Sequence, residues 1–143
     1  LQKNKVKQVV GKFNLIHSVD SFELASLMNK KCEELKITQK VLLQVNVSGE
    51  ASKQGFDEEN VKKYFTEMKN FLSLDIRGLM TMPPLDLDGE SARPYFCKLR
   101  ELGNHLGLSE LSMGTSHDFR VALQEGATIV RLGTILFGER PRK

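Results

Sequence analysis

The chain alternates between two hydrophobic periods that no single element can satisfy. Short apolar runs at 13–19 (FNLIHSV), 40–47 (KVLLQVNV), 75–82 (DIRGLMTM), 109–113 (SELSM) and 127–134 (ATIVRLGT) read as strands. Between them apolar residues recur at helical spacing. Phe22, Ala25, Met28, Cys32 and Leu35 mark one helix, and Val61, Tyr64, Phe65, Met68 and Leu72 a second. Tyr95, Phe96, Leu99, Leu102 and Leu106 mark a third, and HDFRVALQEG a short fourth. The unit returns about every thirty residues, the length of a strand plus a crossover helix. Strands joined by such crossovers must run parallel, and KVLLQVNV is apolar on both faces, as a covered parallel sheet requires.

Local signals set the expected boundaries. Asp20 or Ser21 caps the first helix and Asp57 the second. Pro94 fits a first turn, so the third helix is expected to start near Ala92 or Arg93. Gly126 ends the fourth, and ILFGER is expected to trail off after the last strand. In the loop after KVLLQVNV, Glu50 and Lys53 are expected to pair across a turn closed by Gly55. The chain starts at Leu1 without a methionine and enters a helix-like stretch at once, which reads as the interior of a longer protein.

Composition narrows the class. With 40% hydrophobic and 27% charged residues over 143 positions, residues 1–143 are expected to form a single globular domain. A net charge of +3 gives no reason to expect nucleic acid as a partner. No apolar run approaches the roughly 20 residues that span a bilayer, so no membrane association is expected. Cys32 and Cys97 stand far apart without a CxxC, as reduced packing residues of a cytoplasmic protein do. Metal clusters, HExxH, Walker A and GxGxxG patterns are not found in the sequence.

In parallel α/β proteins ligands sit at the C-terminal ends of the strands. Two of those ends are alike. LSMGTSHD places Ser112, Gly114 and Ser116 where one strand stops, and RLGT places Arg131, Gly133 and Thr134 at the next. Gly114 would let backbone approach a ligand, and Ser116 would N-cap the following helix, whose free N–H groups favour an anion. Two such neighbours can cradle one phosphate; singly, each is an ordinary turn with a cap. Arg131 lies inside an apolar strand, so it either reaches outward to a helix carboxylate or stands beside a ligand. His17 at the end of the first strand reads as a hydrogen-bonded structural residue, and His105 and His117 carry no catalytic signal. Parallel units leave an open doubly wound sheet or a closed barrel. Five strands are too few for a (β/α)8 barrel unless three more precede them.

These motifs, in order along the chain, resemble the pyridoxal phosphate homeostasis proteins, whose fold is that of the alanine racemase N-terminal domain. The stretches that carry the resemblance are Leu1 to Lys5, His17 to Asp20, Gln44 to Asn46 with Glu50, Lys53, Gln54 and Gly55, and Arg77 to Met80. Leu111 to Gly114 with Ser116 to Asp118, Val130 to Thr134, and Phe137 to Arg140 complete them. The resemblance implies an α/β fold of (β/α)8 TIM-barrel type, here about five βα units lacking the first three strands. It implies pyridoxal 5′-phosphate (PLP) as cofactor and a non-catalytic role in PLP homeostasis, affecting vitamin B6 and amino-acid balance. Ser112, Ser116, Gly133 and Thr134 would hold the phosphate, with Gly114 and Met80 in the same site. Arg131 would face the pyridine nitrogen, keep it unprotonated and so weaken the ring as an electron sink. The family's Schiff-base lysine lies on its first strand, in a segment before Leu1. Thr115 stands where the family usually has Met, Ile135 replaces a usual Ala, and Pro141 follows Glu139 and Arg140 where Asp-Tyr is usual.

Two other readings compete. A racemase-like or decarboxylase-like PLP enzyme would need a second acid–base residue, and Tyr64 and Tyr95 both fall on helices. A phosphate-binding α/β domain for another ligand would need only the cradle. With three strands missing, the raw sheet edges are expected to self-associate or to take a completing segment.

Overall fold

A computed structural model describes residues 1–50, 54–84 and 89–138. Lys53, Glu139, Arg140 and Pro141 lie outside the described residues, and with them the expected Glu50–Lys53 pair. A 3-10 turn (Lys3–Lys5) and a short helix α1 (Val6–Val9) lead into β1 (Leu15–Val19). There follow α2 (Phe22–Leu35), β2 (Gln39–Gln44), α3 (Glu58–Met68), β3 (Leu74–Met80), α4 (Gly89–Leu106) and β4 (Glu110–Thr115). The described chain ends with α5 (Phe119–Gln124), β5 (Ile129–Arg131) and α6 (Thr134–Phe137).

All four strand pairings are parallel and the sheet order is β1-β2-β3-β4-β5. That order decides between the two expected architectures. A doubly wound sheet reverses direction at a switch point. Strictly sequential strands with right-handed crossovers instead put every helix on one face and curl the sheet, as in a barrel.

The sheet's outer face and the helices share one core. Val41, Leu43, Leu79 and Met113 from the strands are fully buried with Leu24, Met28 and Cys32 of α2, Val61 of α3, and Phe96 and Leu99 of α4. The opposite, concave face carries the alternate residues. Leu42, Met80 and Ser112 are buried there, and the register runs from Gln44 through Met80 to Ser112.

The caps follow the expected chemistry. Ser21 Oγ accepts from Leu24 N–H at 3.3 Å and Asp57 Oδ1 from Asn60 N–H at 2.7 Å. Other boundaries move. Helix α4 already holds Gly89, so Pro94 sits inside it and removes one bond, to the Glu90 carbonyl, rather than opening the helix. Strand β5 stops at Arg131, three residues early, and Thr134 begins a helix instead of ending the strand. The cause is tertiary: Ser116 Oγ, from the neighbouring strand's loop, accepts from both Gly133 N–H and Ile135 N–H at 3.2 Å. Those two bonds go with a helical turn over TILF.

Candidate functional site

All five strands contribute polar groups, from the strands or just past their ends, to one place on the concave face. Arg131 is the centre. Its Nη1 donates to Ser112 Oγ of β4 at 2.7 Å and its Nη2 to the Thr81 carbonyl, just past β3, at 2.8 Å. Thr81 is fully buried; its Oγ1 donates to the Val45 carbonyl past β2 at 2.8 Å, and its N–H to the Ser112 carbonyl at 3.1 Å. His17 of β1 completes the set, with Nδ1 2.9 Å from Ser112 Oγ. Of the two expectations for Arg131, the outward reach to a helix carboxylate is overturned.

The electrostatics are unusual. Arg131 is partly buried, yet both its hydrogen-bond acceptors are neutral, and no carboxylate pairs with it among the described residues. Burial pulls its pKa down, and the more distant Asp118 opposes that. A guanidinium stays charged under such a pull, so the site holds a cation that no carboxylate contacts directly among the described residues. Burial and then Arg131 hold His17 below its ordinary value of 6.5, against Glu110, so the imidazole is neutral at neutral pH.

Beside this buried group lies an exposed one, built from the β4–α5 and β5–α6 turns. A serine hydroxyl has two acceptor lone pairs and one proton. Both Ser116 lone pairs are taken by Gly133 and Ile135 N–H groups, which leaves its proton to donate outward. Thr134 N–H belongs to the first turn of α6 and has no helical acceptor. A Cβ built on Gly133 meets nothing within 4 Å. The arrangement offers donors around open space, which suits an anion.

Two expectations change here. Ser116 does not cap α5. The residue at that position is Asp118, whose Oδ1 accepts from Thr115 N–H at 2.6 Å and Thr115 Oγ1 at 2.9 Å. Thr115 therefore ties the loop down. Gly114 serves packing rather than ligand approach. With φ at +92°, the place of its absent Cβ lies 2.6 Å from the Ala122 Cβ and 3.0 Å from the Phe119 Cα of α5. Of the expected site residues, Ser112 and Arg131 meet directly, Met80 lies beside Ser112 in register, and Ser116, Gly133 and Thr134 come together in the exposed pair of turns. His17 and Thr81 were not among them. Their common feature is the hydrogen bonding that reaches Ser112 and Arg131, His17 from within β1 and Thr81 from just past β3.

The alanine racemase N-terminal domain model matches residues 1–141. The chain belongs to that family. It is 50% identical, over 98% of its length, to the pyridoxal phosphate homeostasis protein of Aquifex aeolicus, and spans 64% of that protein. It is 39% identical to the protein of the same name from Synechocystis, spanning 67% of it. PipY of Synechococcus elongatus, solved with PLP bound, superposes with a TM-score of 0.89 at 36% identity, over 96% of this chain and 67% of PipY. Diaminopimelate decarboxylase of Helicobacter pylori shares the fold, with a TM-score of 0.76 at 14% identity. The five parallel strands are thus part of the family's TIM-barrel-like fold.

Proposed function

We propose that this chain carries the phosphate cradle and the ring-nitrogen partner of a PLP-binding homeostasis protein. The observation that carries the reading is Arg131, a partly buried cation held by two neutral acceptors and placed one turn from an anion-ready set of donors. The similarity to PipY with PLP bound supports it.

The residues fit the group. The Ser116 hydroxyl, the Thr134 N–H and the open space at Gly133 suit a phosphate. Ser112, fully buried, orients Arg131, and Met80 lines the same face. Bound PLP supplies an electron-withdrawing ring to which amines can be joined. Arg131 at the ring nitrogen favours its unprotonated form, which weakens that withdrawal and fits a carrier better than a catalyst. Tyr64 stacks on Phe22 at 5.0 Å in the helix layer, away from the concave face, so it offers no second acid or base there.

In this reading residues 1–143 act as one domain. The free cysteines Cys32 and Cys97 suit the cytoplasm, and none of the described helices is long and apolar enough to cross a membrane. The outer edges of β1 and β5 are where a completing segment or a second copy would pair.

Gel filtration of the intact protein after mixing with equimolar PLP tests the binding claim. The protein should retain the cofactor's absorbance, and Arg131→Met should lose most of it. Equal retention by the variant, or none by the wild type, would contradict the reading.

A further inference from the structure

We propose that His17 is a positioning residue: it fixes the direction of the Ser112 hydroxyl and, through it, the Arg131 guanidinium at the proposed site. The inference rests on the PLP reading for its functional meaning, but its geometry stands in the chain itself.

His17 lies on β1 and Ser112 on β4, which are not neighbours in the sheet, yet Nδ1 and Oγ are 2.9 Å apart. The contact crosses the concave face. Ser112 is fully buried, so its hydroxyl proton needs an acceptor within the protein. Arg131 Nη1 donates to the same oxygen and has no lone pair to offer. Among the described residues His17 Nδ1 is the acceptor that remains. The ring must then be neutral, with its proton on Nε2. The other tautomer would aim a second donor at Ser112 Oγ and strand the hydroxyl proton. The charged ring would do the same and would also set an imidazolium against a guanidinium. The charged groups that act on the ring agree with this assignment. Burial disfavours the charged form most, Arg131 of β5 adds to it, and Glu110 of β4 opposes with the smallest effect.

The three residues therefore form one directed chain. Arg131 donates a hydrogen bond to Ser112, and Ser112 donates one to His17. With His17 in place, both Oγ lone pairs stay available to donors and the guanidinium has a fixed anchor. Without it, the hydroxyl proton must turn elsewhere, and the Arg131 contact loses its partner's orientation.

Long-range 1H–15N NMR of the imidazole groups in the intact, ligand-free protein reads the tautomer. The expected result is a protonated Nε2 and a bare Nδ1 near neutral pH, with a titration midpoint below 6.5. A protonated Nδ1, or a midpoint at or above 6.5, would overturn the proposal. A second arm measures PLP affinity. His17→Phe should weaken it about tenfold, the size of one lost hydrogen bond, and His17→Asn should recover it to within about threefold, because the amide oxygen can accept near the Nδ1 position. Unchanged affinity in His17→Phe would also overturn it. If the wild type itself does not bind PLP, the cofactor reading fails, and the tautomer alone decides whether His17 directs Ser112.

Discussion

Among single residues, the sharpest contrast is between two arginine arrangements. Arg131, on the concave face, is a cation with no carboxylate paired to it among the described residues. Glu125 is the reverse, a nearly buried carboxylate on the helix side with more partners than it needs. Arg93 and Arg100 both pair with it, and the Cys97 thiol donates to its Oε2 at 3.0 Å. These hydrogen bonds bring its pKa down from 4.5 to about 2 and push the Cys97 thiol up. The folded value lies below the unfolded one. The clamp's contribution is therefore complete above 4.5 and lost as pH falls from 4.5 toward about 2. Acid unfolding of Glu125→Gln should be less steep over that window, with lower stability at neutral pH, as followed by circular dichroism. An unchanged acid transition would show that the clamp contributes nothing. Little of this was legible in the sequence. Arg131 stood out because a charge interrupted an apolar strand. Glu125, Arg93 and Arg100 are charged residues on helical patterns, and only the packing of α4 against α5 brings them together.

For the elements, glycines separate folding from binding. Strand β3 slips register against β2 between Val41 and Leu42, and Gly78 lies opposite Glu110 of β4 just after the slip. A Cβ on Gly78 would fall 1.8 Å from the Glu110 carbonyl oxygen. Gly78→Ala should therefore cost about 3 kcal/mol by forcing the strands apart. Gly133→Ala meets nothing and should change stability by less than about 0.5 kcal/mol. Denaturant melts of the two variants check this, and similar losses in both would refute it. The strands and helices were readable because their periods differ, and the caps at Ser21 and Asp57 because they act within one turn. The turn at 132–138 was not. Nothing within RLGTILFG requires a helix there; the two bonds to Ser116 do, and Ser116 comes from a different unit. Gly114 was misread for the same reason, since the space it leaves is filled by α5.

Across the whole molecule, sequential parallel strands bring groups from five separate units into one concave site. The order β1-β2-β3-β4-β5 carries His17, Val45, Thr81, Ser112 and Arg131 into a single hydrogen-bonded network. The spacing of motifs along the chain predicted parallel βα units, the family resemblance implied a barrel, and LSMGTSHD with RLGT named the two turns that lie side by side through Ser116. Which residue faces which was beyond it, because strand register and curl arise only when all five units pack. The central claim is that the β4 and β5 turns hold the phosphate of PLP. Isothermal titration of the intact protein with PLP and with pyridoxal, which lacks the phosphate, tests it most directly. PLP should bind at least about a hundredfold more tightly, as expected for two or more charge-assisted hydrogen bonds, and Ser116→Ala should narrow the gap. Equal affinities for the two ligands would contradict it.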